Sequence, residues 1–398
     1  MGGFVQTERL GVYVSVPFCR AKCSFCNFAS GVSSAERVEE YVRRLCAEID
    51  GAAEEAERVA ARLPRLVNTV YFGGGTPSLL DPRQLRDIFA ALRRQFTVEP
   101  STEITLEAAP GQIDDEVLEE ALRLGVNRVS LGVQSFVDRE SAAVGRTHSG
   151  ESCMREFVRL RAAGVQEIGA DLIAGLPHQT RDSWRTSLEI ACSSELTHLS
   201  VYLLEIDEGS RLGREVLGGG ARLHAPAVAS EELAAEMYEE ACELLPRYSF
   251  AQYEISNFAR GTEHQSRHNR KYWDRAPYLG FGLDAHSMLV RDDGSAVRFA
   301  NPDALNDYDA GGFAERIEIS RRDEFEESIF LGLRLNDGVL IENLRDRFPI
   351  DWVRECEERA RELAGEGLMG VKDGRWSLTT RGRLVSSEIF GELLAVTA

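Results

Sequence analysis

From residue 11 to about residue 245 the sequence alternates between strand-like and helix-like runs, and no other feature constrains its fold as much. "GVYVSV" (11–16) precedes the amphipathic "SAERVEEYVRRLCAEIDGAAEEA", and "LVNTVYF" (66–72) precedes "DPRQLRDIFAALRRQF". "TEITLEA" (102–108), "NRVSLGV" (127–133), "EIGADLIAG" (167–175) and "THLSVYLL" (197–204) each lead into a further helical pattern. Short β-rich runs separated by helical ones imply parallel strands joined by crossover helices. Six such units predict an α/β fold, an incomplete (β/α)6 TIM-like barrel, with a doubly wound sheet as the alternative. Small and polar residues gather at the C-terminal ends of these strands: the cysteines after the first, "GGGTP" after the second, then Glu107, Gln134 and Asp171. In barrel enzymes that end carries the chemistry.

After about residue 245 the rhythm changes. "FAQYEISNFA" is strand-like, and "SRHNRKYWDRAPYLGFGLDAHSM" is rich in aromatics, Gly and His. From about residue 323, two helical patterns lead to a DG turn, which predicts a hairpin before a last helix. Helices plus a small hairpin resemble a winged-helix unit. With 398 residues, about two domains are expected: a barrel with a connecting segment over 1–310 and a smaller C-terminal helical domain over 311–398.

The formal charge of -19 opposes binding to a phosphate backbone, so nucleic acid is not the expected partner. No run approaches the roughly 18 apolar residues of a membrane span, so no membrane anchor is expected. The start, "MGGFVQTERL", lacks a secretory signal, and Gln6 breaks the myristoylation pattern that Gly2 would begin. A cytoplasmic location is expected.

Of eight cysteines, Cys46, Cys153, Cys192, Cys242 and Cys356 stand singly in apolar or amphipathic stretches and read as packing. Cys19, Cys23 and Cys26 are clustered with C-x3-C-x2-C spacing, and Phe28 stands where a fourth could follow. Three readings compete. A structural zinc site needs four ligands, and this loop has no further Cys or His. A redox dithiol of Cys23 and Cys26 leaves Cys19 without a role. A four-iron cluster held by three thiolates leaves one iron open to a ligand that is not protein. One strand later, "YFGGGTPSLL" provides glycines that allow a ligand close to the backbone.

The cysteine spacing followed by the glycine run resembles the radical SAM superfamily. More sharply, "YVSVPFC", "FGGGTPS", "LGVQSF", "GRTH", "DLIAGLPHQT", "YEISNFA", "HNRKYW", "YLGFGLDAHS" and "FLGLRLNDGV" resemble its HemN/HemW family across nearly the whole chain. That family contains oxygen-independent coproporphyrinogen III dehydrogenases and haem chaperones. The resemblance implies a [4Fe-4S] cluster on Cys19, Cys23 and Cys26, with S-adenosylmethionine (SAM) on its open iron. It also implies SAM contacts from Tyr13, Phe25, Gly74, Gly75, Glu107, Gln134, Arg146, Asp171 and Ile173. Carboxylates such as Glu107 and Asp171 suit ribose hydroxyls or an ammonium, Arg146 suits a carboxylate, and Phe25 and Ile173 suit an adenine face.

Within the family, three features resemble the chaperone branch. Phe28 replaces a further cysteine, the cluster begins only 18 residues in, and "HNRKYW" is similar to an H-N-x-x-Y-W motif whose histidine is associated with haem. His268 is therefore the expected haem contact, ahead of His264 and His286. The implied partners are haem or a porphyrinogen and recipient apo-cytochromes, membrane-bound ones included. The alternatives are radical decarboxylation of coproporphyrinogen III propionates and, more distantly, another tetrapyrrole modification. Two departures stand out: "EAAP" puts Ala109 where the family carries Asn or Asp, and Asn27 stands where Asp is common.

Overall fold

A computed structural model describes residues 9–395, with the side chain of the last excluded. The readings made on Gly2 and Gln6 lie outside these residues. Six strands form the expected parallel series: β1 Arg9–Val16, β2 Leu66–Gly74, β3 Thr97–Ala108, β4 Arg128–Gln134, β5 Glu167–Ala174 and β6 His198–Leu203. Each pairs with the next in parallel, in sequence order. The region after 245 then extends both flanks. The hairpin β7 (Ala251–Gln252) and β8 (Asn257–Ala259) joins β6 antiparallel, and β9 (Tyr278–Phe281) joins β1 in parallel. Beyond β9 come β10 (His286–Val290), β11 (Ala296–Ala300) and β12 (Glu315–Ile319), completing a twelve-stranded sheet.

The strands sort their side chains by the two-residue period of the pleat. One set, including Val12, Val14, Val70, Phe72, Leu106, Leu131 and Leu172, lies in the core shared with the covering helices. Helix Ala35–Asp50 meets it with Tyr41, Val42, Leu45 and Ile49, and helix Pro82–Gln95 with Leu85, Ile88, Phe89 and Leu92. The second of these starts with a capping box, in which Asp81 and Gln84 exchange side chain and backbone bonds. Each fully buried aliphatic residue contributes about 1.5–3 kcal/mol. The opposite set is polar or aromatic and in register across the hollow: Tyr13 faces Tyr71, Tyr71 faces Thr105, Glu107 faces Ser130, and Asp171 faces Ser200. Of the residues predicted from strand ends, Glu107 and Asp171 come from this inward set.

A second core gathers Phe325, Ile329, Val353, Cys356, Trp376 and Ile389. It holds helices Arg321–Arg334, Ile341–Arg347, Ile350–Gly365 and Ser386–Ala395, with a three-stranded sheet of β13 (Val339–Leu340), β15 (Arg375–Leu378) and β14 (Met369–Lys372). The DG turn is present: Asp373 and Gly374 both have positive φ, 51° and 72°, which suits a tight hairpin. β12 lies past residue 310 yet pairs with β11 in the large sheet. The two units touch through an Arg275–Glu327 bond of 2.9 Å and through Asn336, which donates to Gln252 O at 2.6 Å. Among the described residues no helix is long and apolar enough to cross a membrane.

Candidate functional site

The three clustered cysteines lie on the loop that leaves β1, and backbone bonds tie that loop at its neck. Phe18 bridges Gly31, Cys19 N–H donates to Gly31 O at 2.9 Å, and Gly31 N–H donates to Pro17 O at 2.9 Å. Within the loop Cys26 N–H reaches Cys23 O at 3.4 Å, and all three thiols are half-buried and free. Ser24 pins the far side, donating to Val144 O at 3.1 Å and accepting from Leu212 N–H at 2.7 Å. Phe28 is 61% exposed, so its side chain takes no part in the enclosure.

The glycine run is knitted to this loop. Gly75 N–H donates to Val16 O at 2.9 Å and Thr76 N–H to Phe18 O at 2.7 Å. A Cβ on Gly75 would sit 2.6 Å from Phe18 O and 2.7 Å from Phe18 N, so only glycine allows this contact. Gly74 has φ +100° and faces Ser15 and the Tyr13 hydroxyl. Gly73, which the sequence did not single out, lies under the rings of Tyr13 and Tyr71: its Cβ would approach each to 3.0 Å.

Deeper in the hollow, the Tyr71 hydroxyl donates to Glu107 Oε1 at 2.6 Å. Burial raises the Glu107 carboxyl to about 7; bonds from Tyr71 and Gly74 N–H oppose the rise and the nearby Asp171 adds to it. Burial also raises Asp171, opposed by Ser200, Ser130 and Arg146. The structure therefore brings Tyr13, Gly74, Glu107, Asp171 and Arg146 toward one hollow. Tyr202 lines it as well. It is 41% exposed, yet burial pushes its phenol far up, as expected for a residue facing an internal water-accessible space.

Arg146 and Gln134 meet over Gly132. A Cβ there would lie 2.5 Å from Arg146 Nη2 and 3.0 Å from Gln134 Nε2. Gln134 has φ 67°, a strained conformation for a residue with a side chain. Arg146 Nε is buried without a hydrogen-bond acceptor among the described residues. An unpaired guanidinium N–H at this place fits an anionic ligand group. The Cys23 thiol is raised by burial, with Arg146 the largest opposing influence, so this cation lies within electrostatic reach of the cysteine loop. Phe25 and Ile173 come together in a small apolar cluster with Val144, Leu176 and Leu212.

His268 lies below these residues, its ring 6.4 Å from that of Tyr13. Its helix, Arg267–Trp273, packs at the opposite end of the strands, where Glu103 accepts from His268 N–H at 2.9 Å and from Arg267 N–H at 3.1 Å. Its ring is 1% exposed and both nitrogens are engaged, Nδ1 with Thr69 Oγ1 and Nε2 with Tyr272 Oη, each at 2.9 Å. The ring also stacks on Tyr71 at 5.2 Å. His264 pairs with Glu167 at 2.8 Å, and His286 is exposed beside Asp284. Ala109 is buried; Asn27 lies next to Gly209. Sequence reasoning missed Tyr71, Gly73 and Gly132. Their signal was the two-residue alternation "VYFGG" and "RVSLGVQ", read for inward face as well as for strand end.

Residues 13–191 match the radical SAM superfamily and residues 319–385 the HemN C-terminal domain. The heme chaperone HemW of Lactococcus lactis is 31% identical over 386 residues, covering 96% of each chain. That of Bacillus subtilis is 31% identical over 96% of this chain and 98% of its own. The mitochondrial radical S-adenosyl methionine domain-containing protein 1 of Bos taurus is 33% identical over 91% of this chain and 82% of its own. Among solved structures, the coproporphyrinogen III oxidase HemN of Escherichia coli, a radical SAM enzyme, superposes with a TM-score of 0.81 at 24% identity, covering 97% of this chain and 90% of that one. At that identity the match establishes the shared fold.

Proposed function

The chain belongs to the HemW family of radical SAM proteins, and from that premise we propose that it is a haem chaperone, binding haem and passing it to apo-cytochromes, membrane-bound ones included. The observation that carries the reading is the reach of the likeness: it spans 96% of both chains in the Lactococcus lactis relative, cluster loop, barrel and C-terminal unit together. The exposed Phe28, where the decarboxylating branch would place a thiol, agrees with it. We place the exchange in the cytoplasm, and we keep a barrel unit and a C-terminal unit as the working division of the chain.

The superfamily implies a [4Fe-4S] cluster and SAM. We assign the cluster to Cys19, Cys23 and Cys26, whose free thiols share one tied loop. When bound, the pair supplies one-electron reductive cleavage of the SAM sulfonium. The protein's own groups hold and orient. Arg146 offers its unpaired Nε–H to the SAM carboxylate, and Glu107 and Asp171 accept from hydroxyl or ammonium groups. Gly74, Gly75, Tyr13 and Gln134 shape the shelf, and Phe25 and Ile173 wall the adenine. For His268 we propose an anchoring role: its Nδ1 bond to Thr69 and its N–H bond to Glu103 fasten the motif helix to the barrel floor, while Tyr272 of the same helix holds Nε2.

The test uses the full chain, reconstituted anaerobically. Haem binding is followed by absorption and transfer by the spectrum of an apo-cytochrome; conversion of coproporphyrinogen III with SAM and reductant is measured on the same sample. Haem bound and transferred without conversion is expected. Sustained conversion overturns the reading in favour of the dehydrogenase.

A further inference from the structure

A cavity of about 540 Å³ lies between helix Arg267–Trp273 and the C-terminal unit, away from the cysteine loop. Its size is within the roughly 300–1,000 Å³ typical of small-molecule sites. Leu335, Val339, Leu340 and Leu344 give it an apolar wall, while Arg267, Arg270, Lys271, Arg275, Arg347 and Arg375 give it a basic rim, with Asp274 the only acid in the lining. Such a concentration is unexpected by chance in a chain whose formal charge is -19.

Not all of these cations are neutralised. Arg275 and Arg347 pair with Glu324 and Glu327 of helix Arg321–Arg334, and Arg270 is engaged by Asp274 at 3.7 Å and by Gln265 at 2.6 Å. Arg375 instead donates to the backbone oxygens of Asp337 and Gly338, at 3.2 and 3.5 Å, and has no carboxylate partner among the described residues. Arg267 donates to Ser101 O at 2.6 Å, and its nearest carboxylate is Glu103 at 4.0 Å. Two further lining groups are buried without a partner: Asn68 Oδ1 and the Trp273 indole Nε1–H. Arg334 covers the Trp273 ring at 4.1 Å and holds it in place. Apolar walls, the two guanidinium groups of Arg267 and Arg375 and unpaired polar atoms together make an amphipathic anion site.

We propose that this cleft holds the porphyrin cargo by its ring and its two carboxylates, not by its iron. The inference rests on the haem reading above. No His, Cys or Met lines the cleft, so the iron finds none of its usual side-chain ligands there. The binding is therefore a recognition of the dicarboxylate macrocycle itself, and it is separate from the SAM hollow.

The test titrates the full chain with haem and, separately, with metal-free protoporphyrin IX. Both are expected to bind the parent with similar affinity. Arg375→Glu and Arg267→Glu each weaken both by roughly tenfold, the scale of one charge-assisted bond. Arg155→Glu, which makes the same charge change on a remote exposed helix, leaves both unchanged. Parent-like affinity in both cleft variants overturns the cleft while leaving the haem reading intact. Haem binding without protoporphyrin binding also overturns it, by showing that the iron is the handle. Failure of the parent to bind either ligand removes the haem reading as well.

Discussion

The Tyr71 hydroxyl donates a 2.6 Å hydrogen bond to Glu107 Oε1, and the Tyr71 ring stacks on His268 at 5.2 Å. One side chain therefore connects the carboxylate of the cofactor hollow with the histidine of the barrel floor. It also sets the protonation behaviour of the hollow, because its bond favours the ionised carboxylate against the burial that disfavours it.

The first prediction concerns pH. Burial raises Glu107 to about 7, so the group is protonated below that value and ionised above it. Only the ionised form accepts two bonds from ribose or ammonium groups. SAM affinity, measured by equilibrium dialysis, should fall as pH drops from about 8 to about 6, and the dependence should flatten in Glu107→Gln. Tyr71→Phe removes a bond that lowers the carboxyl, so the midpoint should move to higher pH.

Arg146 gives a second test. Its unpaired Nε–H is assigned to the SAM carboxylate, and its backbone N–H, bonded to Ser141 O at 3.0 Å, is untouched by a side chain change. Arg146→Ala should weaken SAM binding roughly tenfold or more while the thermal midpoint stays near that of the parent. Unchanged affinity would remove Arg146 from the SAM contacts.

Gly75→Ala tests how the two loops are joined. A Cβ 2.6 Å from Phe18 O meets backbone that cannot swing aside, so the loops must part. Overpacking of this kind costs about 1–3 kcal/mol. A lower melting temperature and less iron per chain after reconstitution are expected. Cys19→Ser, Cys23→Ser and Cys26→Ser should each reduce bound iron with little effect on the melt of the metal-free chain.

The barrel floor should be acid-sensitive. Burial lowers His268 to about 3 and lowers His198 well below the usual range, so both are neutral when folded. The unfolded chain binds these protons near pH 6.5, so their contribution to stability is complete above that value and declines as pH falls below it. Thermal unfolding between pH 7.5 and 5 should show a falling midpoint, less steep in His268→Gln. That variant should also be less stable at pH 7.5, having lost at least one of two buried bonds.

The six parallel units were legible because each buries one continuous aliphatic face under a helix, and that periodicity is local. The cysteine loop and glycine run were legible as neighbouring loops for the same reason. Other features depend on contacts between residues far apart in the chain. β9 reaches β1 across 267 positions, from Gly11 to Tyr278, and nothing in "YLGF" states that partner. "HNRKYW" was legible as a helix with His268 and Tyr272 on one face, but its burial depends on Thr69 and Glu103, which lie on other strands. That packing comes from residues far away in the chain, and a lone motif does not reveal what is packed against it. The boundary near 310 was placed ahead of the helical patterns that begin near residue 323, and the pairing of the strand Glu315–Ile319 with β11 is a contact between distant residues that no local pattern states.

The neck of the cysteine loop is closed by main-chain bonds between Pro17, Cys19 and Gly31, and the glycine run is fastened to it at Val16 and Phe18. The fastening of this neck therefore uses none of the three thiols. In a zinc finger the ion and the fold appear together, so a chelator dismantles both. Here the bonds that fasten the neck use no thiolate, so the loop's attachment to the barrel should outlast loss of the cluster. Oxidative loss of the cluster should accordingly leave a competent apoprotein, ready to be refilled instead of degraded.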